Sequence, residues 1–341
     1  MKFYTNISRY GNNLLYRGYD AGKKIQTKIK YKPTFYVNTP KPTIFKALDG
    51  TPVAPIKFED MREAKDWLAS NQHTAGRHIF GNNKHIPAYI NDAFPGKIKF
   101  DRNIINVTFI DIEVQSDEGF PEPEEAAHEV TAICMKNSID NTYYVWGLKD
   151  YDVENTYMKT NRVIYKKCAT ESELLLHFIA HWSLPSQCPD VITGWNSRFF
   201  DIPYLVNRII KIHGEEFVRR LSPWGLIDRR DVTTMQRKQC AYEIQGIAQM
   251  DYLDLFKKFG HSYGPQESYK LDNIAHVVLG ERKLSYEEHG NLHTLYKMDH
   301  QKFIDYNIKD VELVDRFEDK MGLITLALTM AYRGGVNYGD V

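Results

Sequence analysis

Residues 104–112 read IINVTFIDI, an almost unbroken apolar run rich in β-branched side chains, and Glu113 follows directly. Such a run is the signature of a strand buried on both faces, and that demands a sheet covered on either side by other elements. Side chains two apart in a strand share a face, so Asp111 and Glu113 stand together near its C-terminal end. Open α/β sheets place their ligand sites there. Spacing alone leaves two readings. Either the strand has reached solvent and simply ends in acids, or a cation neutralises two like charges that are otherwise too close to tolerate.

Strands are expected also over 128–135, 142–148, 162–167 and 191–194. Helices are expected over 171–182, with Thr170 and Glu173 as a capping box, 202–213 stopped by Gly214, 271–279 stopped by Gly280, and 300–320. That alternation is α/β. The first 56 residues are different, with short strands broken at Gly11-Asn12-Asn13, Asp20-Ala21-Gly22, Lys32-Pro33 and Asp49-Gly50. Asp60 and Glu63 then look like the N-cap and reciprocal partner of a helix over 61–70. The expectation is a β-rich N-terminal domain, 1–100, and an α/β domain, 101–341, with a mixed sheet flanked by helices; the whole is α+β. The Gly/Asn/His/Pro-rich stretch 74–95 is the candidate boundary, and the polar segment 230–252 could project as a hairpin.

Lys23, Lys24, Lys28, Lys30 and Lys32, with Tyr31, Phe35 and Tyr36 close behind, suit either a nucleic-acid surface or a lysine-blunted strand edge. Lys plus Arg and Asp plus Glu balance at 44 each, so any nucleic acid must be held by a local patch. The chain has no apolar run near the roughly 20 residues that cross a bilayer and no apolar signal segment. A membrane partner is therefore not expected. Cys134, Cys168, Cys188 and Cys240 are too scattered for a metal pair or a disulfide framework, which fits a reducing cytoplasm.

At about 100° per residue, Phe303, Val314 and Phe317 centre an apolar face on the helix over 300–320, while Asp305, Lys309, Glu312 and Arg316 lie opposite, so Asp305 and Glu312 read as solvated charges. Tyr306 and Asp310 fall within the apolar set. An inward Asp310 costs several kcal/mol unless partnered; a buried arginine, a capping amide or a metal would each serve. Asp201, before Ile202-Pro203, reads as a helix N-cap or as a third acid joining Asp111 and Glu113.

Taken together, Phe109-Ile110-Asp111-Ile112-Glu113, then Gly194-Trp195-Asn196 running to Phe200-Asp201-Ile202-Pro203-Tyr204, then Tyr306-Asn307-Ile308-Lys309-Asp310 resemble the three exonuclease motifs of family B DNA polymerases. Gly119-Phe120-Pro121-Glu122-Pro123 and Met250-Asp251-Tyr252-Leu253-Asp254-Leu255 bring the likeness nearest to replicative polymerases of T-even-type bacteriophages. Residues 1–100 look like that family's N-terminal domain. The resemblance implies an RNase H-like 3′-5′ exonuclease with two divalent metals per site. Asp111 would bridge both, Glu113 and Asp310 would help hold the one activating water, and Asp201 would serve the second. Tyr306 would orient the water, Phe120 would stack on the terminal base with Asn196 nearby on the DNA, and Lys283 would lie near the scissile phosphate. All-oxygen ligands favour Mg²⁺ or Mn²⁺.

The resemblance also implies single-stranded DNA or a primer 3′ end as partner and, for a phage protein, the bacterial cytoplasm as location. Such polymerases run to several times this length. The motifs of their palm are missing here, and Tyr338-Gly339-Asp340 echoes one of them only superficially, so no polymerisation is expected of this chain alone. It reads as a fragment, or as one subunit of a split polymerase with a separate polymerase chain and other replisome proteins as partners. The alternative is a nucleic-acid-binding or assembly module, catalytically idle without its polymerase half.

Overall fold

Local turn chemistry sets the first sheet. In a computed structural model describing residues 1–81, 84–115, 119–234 and 237–341, β1 (Lys2–Tyr10), β2 (Asn13–Asp20) and β3 (Lys23–Ile29) pair antiparallel in that order. Ala21 and Gly22 have φ of 49° and 79°, the positive pair whose twist suits a two-residue hairpin. β3 is the outer strand and exposes Lys23, Lys24 and Lys28, as edge-blunting lysines do. Tyr31 and Phe35, which the nucleic-acid reading would put on that surface, are buried.

A second small sheet has the order β5 (Val53–Lys57), β4 (Thr34–Asn38), β6 (Ile79–Phe80). Helix α1 (Met61–Asn71) covers it, with Ala64, Trp67 and Leu68 packed on Phe35 and Phe58. Asp60 accepts from the Arg62 and Glu63 amides, and Glu63 accepts from Glu59 N at 2.7 Å, so the box closes one residue earlier than expected. The stretch 74–95 is not a boundary. It carries β6 and α2 (His85–Ala93), whose Ile90 is buried; Asn82 and Asn83 lie outside the described residues.

Contacts divide the chain into Met1–Phe100 with Thr329–Val341, and Asp101–Leu328. The last segment, assigned from the sequence to the second domain, thus belongs to the first. Tyr332 and Tyr338 donate their hydroxyls to Tyr4 O, and Asn337 exchanges two hydrogen bonds with the Ile7 main chain. Tyr338-Gly339-Asp340 is a capped 3₁₀ turn with Tyr338 buried, a structural element of this unit.

The second unit is built on one mixed sheet. Its strands are β7 (Val107–Val114), β8 (Val130–Asn137), β9 (Thr142–Gly147), β10 (Arg162–Lys167), β11 (Val191–Thr193) and β14 (Ala248–Gln249), ordered β10-β9-β8-β7-β11-β14. β7, β8 and β9 run antiparallel, and the outer pairings are parallel. β7 starts later than the apolar run suggests, because Asp101 caps a 3₁₀ turn at Arg102–Ile104. The hairpin of β12 (Ile227–Thr234) and β13 (Arg237–Ile244) begins before the expected segment; Met235 and Gln236 lie outside the described residues.

Helices α3 (Glu171–Trp182) and α4 (Asp201–His213) pack on the face carrying Ile110, Ile112, Ile133 and Met135. The long α9 (His300–Met321) lies on β7 and β8 on the other face, where Lys136 of β8 pairs with its Asp315. The period of two thus sends Ile110 and Ile112 into the α3/α4 core and Asp111 and Glu113 towards α9. Shorter helices complete the unit: α5 (Glu215–Val218), α6 (Tyr252–Phe259), α7 (Leu271–Leu279), α8 (Leu292–Met298) and the start of α10 (Leu323–Gly334). Among the described residues no helix is long and apolar enough to cross a membrane. The four cysteines are buried, and none is in a disulfide among the described residues.

Glu171, buried at the start of α3, takes Arg208 of α4 in a two-pronged pair at 2.7 and 2.6 Å and also accepts from Val130 N. Removing one partner of a buried pair strands the other charge. Glu171→Ala is expected to cost about 3 kcal/mol in urea unfolding; a change below about 1 kcal/mol would show the pair to be dispensable.

Candidate active site

One carboxyl oxygen from each of Asp111, Glu113 and Asp310 lies within 4.8 Å of the other two. Asp111 and Glu113 come from β7, and Asp310 from the inward face of α9. Glu113 and Asp310 are buried, and Asp111 is partly exposed. The Asp310 Oδ1 atom is buried without a hydrogen-bond partner among the described residues. A buried acceptor left so is costly, and a cation at the cluster would satisfy it. The oxygen-only donor set fits a hard divalent cation.

Asp201, also buried, is the first residue of α4; the cap position falls on Phe200, which makes no side-chain cap bond. Its Oδ1 accepts the Ile112 amide at 3.0 Å, between the two β7 acids in sequence. That amide is left over because β11 pairs with β7 only as far as Thr193 and Phe109. The chain then turns away at Gly194, where a Cβ would stand 2.6 Å from the Ile110 carbonyl oxygen. Asp201 therefore adjoins the cluster, tied to main chain, outside the set of three.

Two further side chains hold the site. Asn307, fully buried, donates its amide to Asp111 Oδ2 at 2.7 Å. Asp251, just before α6, accepts from the Asn196, Arg198 and Leu253 amides and so fixes the loop after β11. It holds Asn196 at φ 67°, in left-handed backbone that asparagine tolerates best among side-chain-bearing residues. The sequence assigned neither residue a role. The signal for Asn307 was its position four after Phe303 and three before Asp310, on the same stripe.

Lys283, after α7, pairs with Asp310, and its Nζ lies 4.5 Å from the centre of the Tyr306 ring. Tyr306 is buried, edge-on to Tyr286. Phe120 is 68% exposed and leans on Phe200 with ring centres 5.1 Å apart. A groove of about 580 Å³ opens beside Glu113, walled by Phe120, Phe200, Tyr286, His293 and Tyr296. Its size suits a nucleotide-scale ligand.

Burial is the main cause that raises all four carboxyls. It lifts Glu113 to about 8 and Asp201 to about 7, and Asp111 well above the usual range. The Asp310 charge adds to each, while Lys283 draws Asp310 part of the way back.

The outer face of α9 departs from the sequence reading. Asp305, expected in solvent, is buried, and so is Lys309 on the same outer face. The strap after β9 crosses them: Tyr151 and Thr156 donate hydroxyls to Asp305, Tyr157 donates to Glu312, and Lys309 donates to Glu281 and Glu312.

A mixed sheet with helices on both faces, and clustered acids where its central strand meets α9, define a nuclease-type α/β domain consistent with the RNase H-like fold. The chain belongs to DNA polymerase family B: the description "DNA polymerase family B, exonuclease domain" matches residues 67–274. It is 33% identical over its whole length to the DNA-directed DNA polymerase of Enterobacteria phage T4 and 32% identical to that of Escherichia phage RB69. It spans 39% of the length of each. The DNA polymerase delta catalytic subunit of Bos taurus is 29% identical over 44% of the chain and 14% of the bovine protein. An exonuclease domain of a phage-type polymerase implies DNA binding and the use of a divalent cation.

Proposed function

We propose that the chain is the 3′-5′ proofreading exonuclease of a family B polymerase, removing 3′-terminal nucleotides from single-stranded or frayed DNA. The convergence of Asp111, Glu113 and Asp310 beside an aromatic-walled groove carries this reading. These three would hold Mg²⁺ or Mn²⁺, with Asp201 adjoining; a pair of such cations supplies an activated water and stabilises the leaving 3′ oxygen. Phe120 and Phe200 offer a base-blind π surface, as a proofreader indifferent to sequence needs. Asn307 holds the Asp111 carboxylate in place. Tyr306, one helical turn before Asp310, would orient water, and Lys283 would meet a phosphate oxygen. Its other partners would be a polymerase chain and further replisome proteins, in the cytoplasm of a bacterial host.

The test is a 5′-labelled single-stranded oligonucleotide incubated with EDTA, Mg²⁺ or Mn²⁺. A ladder shortened from the 3′ end, formed only with cation and slowed by a terminal phosphorothioate, is the expected result. Internal cuts would overturn the 3′-5′ assignment. The exposed Lys23, Lys24 and Lys28 on β3 favour a second reading, a nucleic-acid-binding module that is catalytically idle by itself. Salt-sensitive binding in EDTA with no product on adding either cation would select it.

A further inference from the structure

Lys283 is not a loose surface lysine. Its amide donates to Asp272 Oδ1 at 3.0 Å, and the neighbouring Arg282 guanidinium holds the other oxygen of the same carboxylate. Asp272 lies in the first turn of α7, so the segment following Gly280 is turned back onto its own helix. The lysine ammonium then lies over the Tyr306 ring and pairs with Asp310. Its side chain is only 23% exposed. Among the described residues it is the one basic group ion-paired to any of Asp111, Glu113, Asp201 and Asp310. Four carboxylates so placed share a single paired cation, and that cation sits on a residue that would itself hold metal.

We infer that Lys283 is an internal cation surrogate: its ammonium occupies the Asp310 side of the site until a divalent ion displaces it, freeing it to move to a substrate phosphate. The inference rests on the cation-binding reading of the site given above. An ammonium bound to Asp310 and a dication at the same cluster repel at a few ångströms, so each weakens the other. Once displaced, the ammonium lacks a counter-charge, and a phosphate oxygen supplies one. By linkage, cation and DNA then strengthen each other's binding. The device would keep the carboxylates preorganised and folded in the cation-free protein while disfavouring loading without substrate.

The experiment measures Mn²⁺ binding by the loss of free-ion paramagnetic resonance signal, without nucleic acid, for wild type, Lys283→Gln and Lys283→Arg. Lys283→Gln is expected to bind Mn²⁺ about tenfold more tightly than wild type, as removal of one nearby positive charge requires. Lys283→Arg keeps the charge and should remain near wild type. In the unmutated protein, acetylation of Lys283 by an activated ester, read by mass spectrometry, should be slow in EDTA and several-fold faster with saturating Mn²⁺. That arm stands even if Lys283→Gln fails to fold. Unchanged or weaker Mn²⁺ binding by a folded Lys283→Gln, or labelling indifferent to Mn²⁺, overturns the surrogate role. If Mn²⁺ binds none of the three proteins, the cation site itself is wrong and the inference falls with it.

Discussion

Asp111→Asn is expected to slow release of the 3′-terminal nucleotide by about a thousandfold or more under single-turnover conditions with saturating Mg²⁺, without loss of thermal stability. Asp111 is the acid that the other three crowd: Asp310, Asp201 and Glu113, in that order, raise its pKa further after burial has done most of it. It is therefore the group whose ionised form is most costly to keep without cations and most useful with them. An asparagine of the same shape leaves a carbonyl oxygen to accept the Asn307 amide, so the local packing need not change. What it removes is one negative charge from the centre of the cluster, and groups that act as a unit lose nearly all activity when one is removed. Glu312→Gln, on the outer face of α9 against Tyr157, serves as the matched control and should retain near-normal turnover. Wild-type rates from Asp111→Asn would remove Asp111 from the chemistry.

The parts of this site that periodicity can report were legible in the sequence. Alternation along 104–113 separated Ile110 and Ile112 from Asp111 and Glu113, because a strand buried on both faces still obeys a period of two. Asp310 stood out as a charge on an apolar stripe. Periodicity is silent about what covers a surface, and that is where the reading failed. Asp305 and Glu312 were assigned to solvent because they oppose the stripe; residues 151–157, distant in sequence, arrive to hydrogen-bond both. Asn307 went without a role because a buried amide is marked only by its partner, Asp111, 196 residues away. Asp201 looked like a cap because its neighbours suit a helix start, and its true partner, Ile112 N, depends on where β11 stops pairing. In the first unit, turns such as Ala21-Gly22 are local and readable, whereas the return of Asn337 to Ile7 is not.

Glu113 and Asp201 make stability itself a readout of the site. Each is a buried carboxyl raised in the folded protein, Glu113 from 4.5 to about 8 and Asp201 from 3.8 to about 7. A group with a raised folded pKa contributes its full stability below the unfolded value and loses it as pH rises through the folded one. In EDTA the melting temperature should therefore fall between about pH 4 and pH 8 and level off above. Either displacement alone corresponds to roughly 4 kcal/mol, though two coupled groups sum to less than twice that. The double variant Glu113→Gln/Asp201→Asn should match wild type below about pH 4 and exceed it by several kcal/mol at pH 8.5. Cations should act in the opposite sense, since they bind the ionised carboxylates: the rise in melting temperature on adding Mn²⁺ should grow from pH 5.5 to pH 8 in wild type and vanish in the double variant. A pH profile in EDTA that is flat across this window, or the same for both proteins, would mean that these carboxyls are not held together in the folded chain, and the exonuclease reading would lose its physical basis.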